Sequence, residues 1–190
     1  MRLTGLRVKE RTAGARFETA VLPHLDAAYN LARWLTRDDQ SAQDVVQEAY
    51  LRALKFFGTF RGGDGKAWIL AIVRNACFDW LKQRRAQDLH EPFDEDIHTQ
   101  SADRSGGTSG TAAGNPESAA ASGTMAERLR AALERLPADY REALVLRELE
   151  GLSYKEIATI ANVPIGTVMS RLARAREQLR KRLHLERGEV

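Results

Sequence analysis

The stretch LSYKEIATIANVPIGTVMSRLARAR, residues 152–176, decides the fold. Ser153 followed three residues later by Glu156 is a capping-box pattern, which opens a short helix running to about Ala161. The Asn162-Val163-Pro164 turn ends that helix, and a longer basic one begins at Ile165 and continues to about Leu183. Short helix, tight turn and longer helix are the outline of a helix-turn-helix. At about 100° per residue, Ile165, Val168, Leu172, Ala175, Leu179 and Leu183 gather into one apolar stripe, the expected core face. Thr167, Ser170, Arg171, Ala173, Arg174, Gln178 and Lys181 fall on the other side. Gly166 and Thr167 are small enough for close approach to a duplex, and first-turn amides favour phosphate. Arg171 and Arg174 can each donate two hydrogen bonds to guanine O6 and N7, while Thr167 and Ser170 can reach base edges or phosphates.

Upstream of this motif the chain also reads as helix. Met125 to Leu136 is amphipathic and stops at Pro137, and Asp139 to about Glu150 follows, stopping at Gly151. In the first half, Leu22, Leu25, Ala28, Tyr29, Ala32 and Leu35 mark one helix, with Pro23 at its start. Ala42, Val45, Val46, Ala49, Tyr50, Ala53, Leu54 and Phe57 mark the buried face of a second, with Asp38 or Asp39 as N-cap and Gly58 beyond its last turn. After the loop FGTFRGGDGK, residues 57–66, a third helix runs from Trp68 to about Arg85. Between the halves, 20 of the 26 residues from Thr99 to Thr124 are Ala, Gly, Ser or Thr, and none is Leu, Ile, Val, Phe, Trp or Tyr. Such a tract buries too little apolar surface to offset ordering entropy, so it is expected to be a flexible linker. The expected fold is all-α: two small helical bundles, residues 17–86 and 125–187, joined by a tether over 87–124 and preceded by a basic tail over 1–16.

The 190 residues are 43% hydrophobic and 29% charged, which suits a globular chain. The net charge of +3 hides a segregation: +4 over 1–16, +2 over 17–86, −6 over 87–124 and +3 over 125–190. Two basic lobes suggest a polyanionic partner. The longest apolar run, Ala67 to Val73, is far short of the roughly 18 residues of a membrane span, and the polar N-terminus has no secretory core, so membrane insertion is not expected and a cytoplasmic location is. The lone Cys77 excludes an internal disulfide and, lying mid-helix without a His at helical spacing, is expected to be a buried inert thiol. His90, Glu91, Asp94, Asp96 and His98 are metal-ligand types, but they sit at the edge of the tether with nothing to hold coordination geometry. The segment around Gly62-Gly63-Asp64-Gly65-Lys66 fails as a phosphate loop, because Phe60 stands where the first Gly is needed and Ala67 where Ser or Thr is. No catalytic residues and no cofactor are implied.

Residues 152–158 with 163–176 resemble region 4 of the extracytoplasmic-function sigma factors of bacterial RNA polymerase. The segment 44–54, DVVQEAYLRAL, resembles region 2.2 of the same family, and 68–75, WILAIVRN, with Asp79 and Arg84, is similar to region 2.4. The resemblance covers residues 17–85 and 125–183, in the family's order.

That resemblance implies a sigma factor: a chain that binds core RNA polymerase and directs transcription initiation, with no covalent chemistry of its own. Region 2.2 docks on a coiled coil of the largest polymerase subunit, which nominates Asp44, Gln47, Glu48 and Leu51, an apolar residue amid polar ones opposite the core stripe. Region 2 captures the melted −10 strand, a task for aromatic platforms and cations, and Phe60, Arg61, Lys66, Arg74 and Asn75 are the candidates. Region 4 binds the duplex −35 element, with Thr167, Ser170, Arg171 and Arg174 at the groove and Arg141, Arg147 and Lys155 as phosphate contacts. Met169 and Ala173 depart from the family, which often has larger basic or aromatic residues there, so the promoter sequence is left open. The resemblance further implies an anti-sigma protein as partner, and a tether whose Asp88, Glu91, Asp94, Glu95, Asp96, Asp103 and Glu117 occupy basic surface in the polymerase cleft. A sigma-like decoy for an anti-sigma protein, or a stand-alone helix-turn-helix regulator, are the alternatives.

Overall fold

The computed structural model describes residues 14–88 and 116–186, and among them there are helices and turns and no strand. Residues 14–20 form α1, and a 3-10 turn over Leu22–His24, with Pro23 inside it, leads into α2, Leu25–Thr36. Arg37 closes α2 in the left-handed conformation at φ 64°. Asp38 then caps α3, Asp39–Phe56, by accepting the Ser41 amide at 2.7 Å, so the first of the two expected caps is the one used. The amide holds the Asp38 carboxyl below the usual range. A 3-10 turn over Phe57–Thr59 and the glycine loop lead to α4, Gly65–Asp88.

Alanines allow these helices to lie close. Ala28, Leu31, Ala32 and Leu35 of α2 meet Ala42, Val45, Ala49 and Ala53 of α3 and Ile69, Leu70 and Val73 of α4, all buried. Gly65 is required by space: a Cβ there would stand 2.0 Å from the Ala20 carbonyl oxygen, so α4 can start against α1 only without a side chain. Asp64 caps α4, accepting the Lys66 and Ala67 amides at 2.9 and 3.2 Å.

The second module begins with α5, Pro116–Glu134, followed by α6, Ala138–Leu144, which winds into a π-helical turn over Val145–Leu149 before Gly151 at φ 70°. The helices α7, Tyr154–Ala161, and α8, Ile165–Glu186, form the helix-turn-helix. Both halves of the expected capping box are present: Ser153 Oγ accepts the Glu156 amide at 3.3 Å, and Glu156 accepts the Ser153 amide at 2.7 Å. Asn162 ends α7 at φ 53°, a conformation its short amide side chain tolerates.

Several expectations move. The helix α4 runs three residues past Arg85, and α5 starts at Pro116, nine residues before Met125 and inside the expected flexible tract. Proline suits a first helical position and the Ala-rich run after it is a strong helix former, which a count of small residues does not register. Leu54 and Ile165, both assigned to core stripes, are exposed. Residues 1–13 of the basic tail, residues 89–115 of the tether and the His90–His98 cluster lie outside the described residues. No helix among the described residues is long and apolar enough to cross a membrane.

The two modules touch. Helix α4 packs along α7, and α2 packs against α6. Polar ties cross the seam: Arg74 to Glu142 at 2.6 Å, Lys66 to Glu150 at 3.0 Å, and Asn30 to Glu150 at 3.3 Å.

Candidate nucleic-acid and polymerase interfaces

On α3 the buried stripe of Ala42, Val45, Val46, Ala49 and Ala53 turns the opposite face to solvent. Asp44, Gln47, Glu48 and Leu51 are all exposed there, Leu51 at 62%. Glu48 is paired with Arg52 at 2.5 Å, and Asp44 accepts from Gln40 at 3.2 Å, so the carboxylates form a rim beside the leucine. Leu54, 54% exposed, lies one turn beyond Leu51 and enlarges the apolar centre. Its three-residue spacing from Leu51 was the available signal.

The five candidates for strand capture separate into three groups. Arg61 and Asn75 are exposed. Phe60 is half-buried, one ring face stacked on Phe57 at 5.5 Å and its other neighbour Trp68 at 5.2 Å, so it belongs to an aromatic cluster as much as to the surface. Phe56, beside the same loop, is exposed, with the Lys55 ammonium 5.8 Å from its ring. Lys66 and Arg74 are committed to the second module. The Lys66 ammonium donates to the Glu150 carbonyl at 2.9 Å besides its carboxylate pair, and Arg74 donates to Glu142 while lying 4.3 Å from the Phe78 ring. In this arrangement both cations are paired across the seam between the modules.

On α8, Val168, Leu172 and Ala175 are buried as expected, and Ser170, Ala173 and Arg174 are exposed. Ser170 donates its hydroxyl back to the Thr167 carbonyl at 2.9 Å. Arg174 lies open on the helix surface, as does Lys155 on α7. Arg171 differs: it pairs with Asp139 at 3.3 Å and approaches Glu142 at 3.7 Å, bracing α8 against α6. Arg147 donates to the Leu152 carbonyl at 2.8 Å and lies 5.0 Å from the Tyr154 ring, tying the π turn to the start of α7. Arg141 is 1% exposed and donates to the carbonyls of Glu134 and Leu136 at 2.7 and 3.3 Å, closing the end of α5. Arg141 and Arg171 thus both hold contacts within the second module, Arg141 at the end of α5 and Arg171 between α8 and α6.

Glu142 joins these sets. It is 1% exposed and receives Arg74 from the first module and Arg171 from its own. Burial pushes its carboxyl above the usual range, against the pull of the two arginines. No sequence signal marked it, since its role arises only when two segments 68 residues apart meet. Cys77 is fully buried, and burial first, then the nearby Glu142, pushes its thiol up to about 12, so it holds no thiolate at neutral pH.

Residues 20–87 match the family described as Sigma-70 region 2, and residues 126–179 match that described as Sigma-70, region 4. The RNA polymerase sigma-H factor of Pseudomonas aeruginosa is 36% identical over 169 residues, covering 88% of this chain and 86% of that protein. The ECF RNA polymerase sigma-E factor of Haemophilus influenzae is 36% identical over 155 residues, covering 80% and 79%. Among solved structures, the sigma factor RpoE in complex with the anti-sigma factor NepR from Bartonella quintana is 28% identical with a TM-score of 0.66, covering 88% of this chain and 96% of that one. With both regions matched in order and relatives aligned over most of their length, the chain belongs to the extracytoplasmic-function sigma factors, the promoter-recognising partners of RNA polymerase.

Proposed function

We propose that α3 docks this sigma factor on core RNA polymerase through Asp44, Gln47, Glu48 and Leu51, with Leu54 extending the patch. The observation that carries this reading is the exposed leucine pair within a carboxylate rim, directly opposite a fully buried stripe. An apolar centre with a charged rim is the anatomy of a docking patch, and no packing need within the chain accounts for it. The −35 duplex is met by the open face of α8, with Arg174 reading base edges, Ser170 and Thr167 near the backbone, and Lys155 on a phosphate. Met169 and Ala173 stand between them and offer apolar contact to thymine methyl groups.

Capture of the −10 strand falls to Arg61, Asn75 and the open face of Phe60, with Lys66 and Arg74 joining once they leave Glu150 and Glu142. Promoter engagement in this reading therefore requires α4 and α7 to part. Tethering the two modules raises the effective concentration of each element for the other once one is bound. An anti-sigma protein is a further partner, a role supported by the Bartonella quintana RpoE, which was solved with one. The chain acts in the cytoplasm with the polymerase, holds no cofactor and performs no covalent step itself.

The test is reconstitution with core polymerase and mapping of transcript starts across genomic DNA. Starts that depend on the chain and share two upstream elements support the reading. Binding to duplex DNA without any polymerase-dependent start refutes it.

A further inference from the structure

A cleft of about 690 Å³ opens on the seam between the modules, away from the Arg74–Glu142 tie. Its walls include Arg37 and Asp38 after α2, Trp80, Arg84 and Arg85 on the last turns of α4, and Arg141 on α6. Four arginines and one carboxylate, Asp38, thus share the lining. That carboxylate is already spent as the cap of α3, accepting the Ser41 amide at 2.7 Å. Among the described residues no ion pair reaches Arg37, Arg84, Arg85 or Arg141, and Arg84 lies 5.2 Å from the Trp80 ring.

Arg141 is the informative member. It is 1% exposed, and its Nε, unlike its Nη1, has no acceptor among the described residues. Burial first, then the Arg37 charge, pulls its pKa down to about 10. The unpartnered Nε stands behind the wall of the cleft beside a second cation, so an anion in the cleft would enter a cluster of positive charge that the chain leaves largely unneutralised.

We propose that this cleft binds a small metabolite carrying two or more linked phosphate groups, held between Arg37 and Arg141 on one side and Arg84 and Arg85 on the other. Phosphate oxygens match the planar fork of a guanidinium, and several forks converging from separate helices suit a linked polyphosphate better than a single ion. The volume lies within the range of small-molecule sites, roughly 300–1,000 Å³. The walls come from both modules, so the ligand binds the packed arrangement and not the parted one. Given the function proposed above, on which this consequence rests, it disfavours polymerase and promoter engagement by the same factor that parting disfavours its own binding.

The experiment titrates the full chain with inorganic tripolyphosphate, pyrophosphate and orthophosphate at constant ionic strength, read by calorimetry and by tryptophan fluorescence, with Trp80→Phe identifying the reporter. Saturable one-to-one binding is expected, tightest for tripolyphosphate and about tenfold weaker in Arg85→Gln and in Arg84→Gln. Arg180→Gln, on the exposed part of α8 away from the cleft, leaves it unchanged. Arg141→Lys keeps the charge and removes Nε, and is expected to weaken binding with the melting curve retained. If that variant does not fold, the two surface variants carry the comparison alone. A nucleoside triphosphate that binds no better than tripolyphosphate places recognition in the phosphates, and one that binds tighter adds the Trp80 ring; both support the proposal. Binding equal in all variants overturns it, as does displacement of tripolyphosphate by non-promoter duplex DNA at the same arginines, which would make the cleft part of a DNA-backbone surface. Each of these outcomes is measured without polymerase and is independent of the sigma activity.

Discussion

Replacing Glu142 tests how the two modules are held. Its carboxylate is buried between Arg74 at 2.6 Å and Arg171 at 3.7 Å, and those side chains are 16% and 18% exposed. Glu142→Ala leaves two guanidinium groups facing each other. Removing one partner of a buried pair costs about 3–5 kcal/mol, and water reaching the partly exposed arginines lowers that to roughly 2–3 kcal/mol. Glu142→Gln is different. Burial raises the Glu142 carboxyl, so its charge is held at a desolvation cost, and a neutral amide keeps an acceptor for Arg74 without that cost. Less than about 1 kcal/mol is expected there. The sign follows for pH as well: a raised native value contributes stability that is full below the ordinary glutamate range and is lost as pH rises through the raised value, a dependence that Glu142→Gln removes. The assay is urea unfolding. All three tryptophans, Trp34, Trp68 and Trp80, lie in the first module, so fluorescence reports that module while circular dichroism reports both. The two curves should coincide in the parent protein and separate in Glu142→Ala, and a cycle with Arg74→Ala should return a coupling above about 1 kcal/mol. Coincident curves in Glu142→Ala with no coupling to Arg74 would show that Glu142 does not hold the modules together.

Arg174→Ala should weaken binding of the −35 duplex by about 1–3 kcal/mol, while Arg171→Ala should lower the melting temperature of the second module first; fluorescence anisotropy and calorimetry separate the two. Leu51→Glu and Asp44→Arg, both on the exposed face of α3, should reduce retention on immobilised core polymerase with helix content unchanged. Ser153→Ala removes the hydroxyl half of the capping box and should cost about 1 kcal/mol in denaturant unfolding. Hydrogen bonds from Ser153 hold the Glu156 carboxyl below its usual range, so its contribution is present above that range and fades as pH falls through the lowered value; the acid limb of the stability profile should flatten in Glu156→Gln.

The parts of the fold that were legible are those set by neighbours in sequence. Ser153 with Glu156, the Asn162 turn and the Val168–Leu172–Ala175 stripe each follow from rules spanning four residues or fewer, and all three are present. Ile165 and Leu54 escape the same rules because periodicity names a face without saying how far the neighbouring element extends along it. Ile165 stands at the helix start with its side chain open, and Leu54 is left uncovered near the end of α3. The early start of α5 was hidden by composition, since alanine counts equally as a linker residue and a helix former.

The site was legible by residue type and only partly by position. An arginine suited to phosphate is equally suited to a carboxylate or a row of helix-end carbonyls, and only tertiary structure decides which it meets. Arg174, Arg61 and Lys155 remain open on the surface, whereas Arg74, Lys66, Arg171 and Arg141 found partners within the chain. Three of those four partnerships, through Glu142 and Glu150 in α6 and the turn after it and through Asp139, involve carboxylates whose sequence context is ordinary.

Site-specific photocrosslinking, in an open complex assembled with core polymerase on a promoter taken from the start-site map, probes the division of labour between the modules without an intermediate step. A photoreactive phenylalanine at Phe60 should crosslink to the non-template strand of the −10 element, and one at Met169 to the −35 duplex. Crosslinks from both positions to polymerase subunits alone, or from both to a single DNA element, would contradict that division.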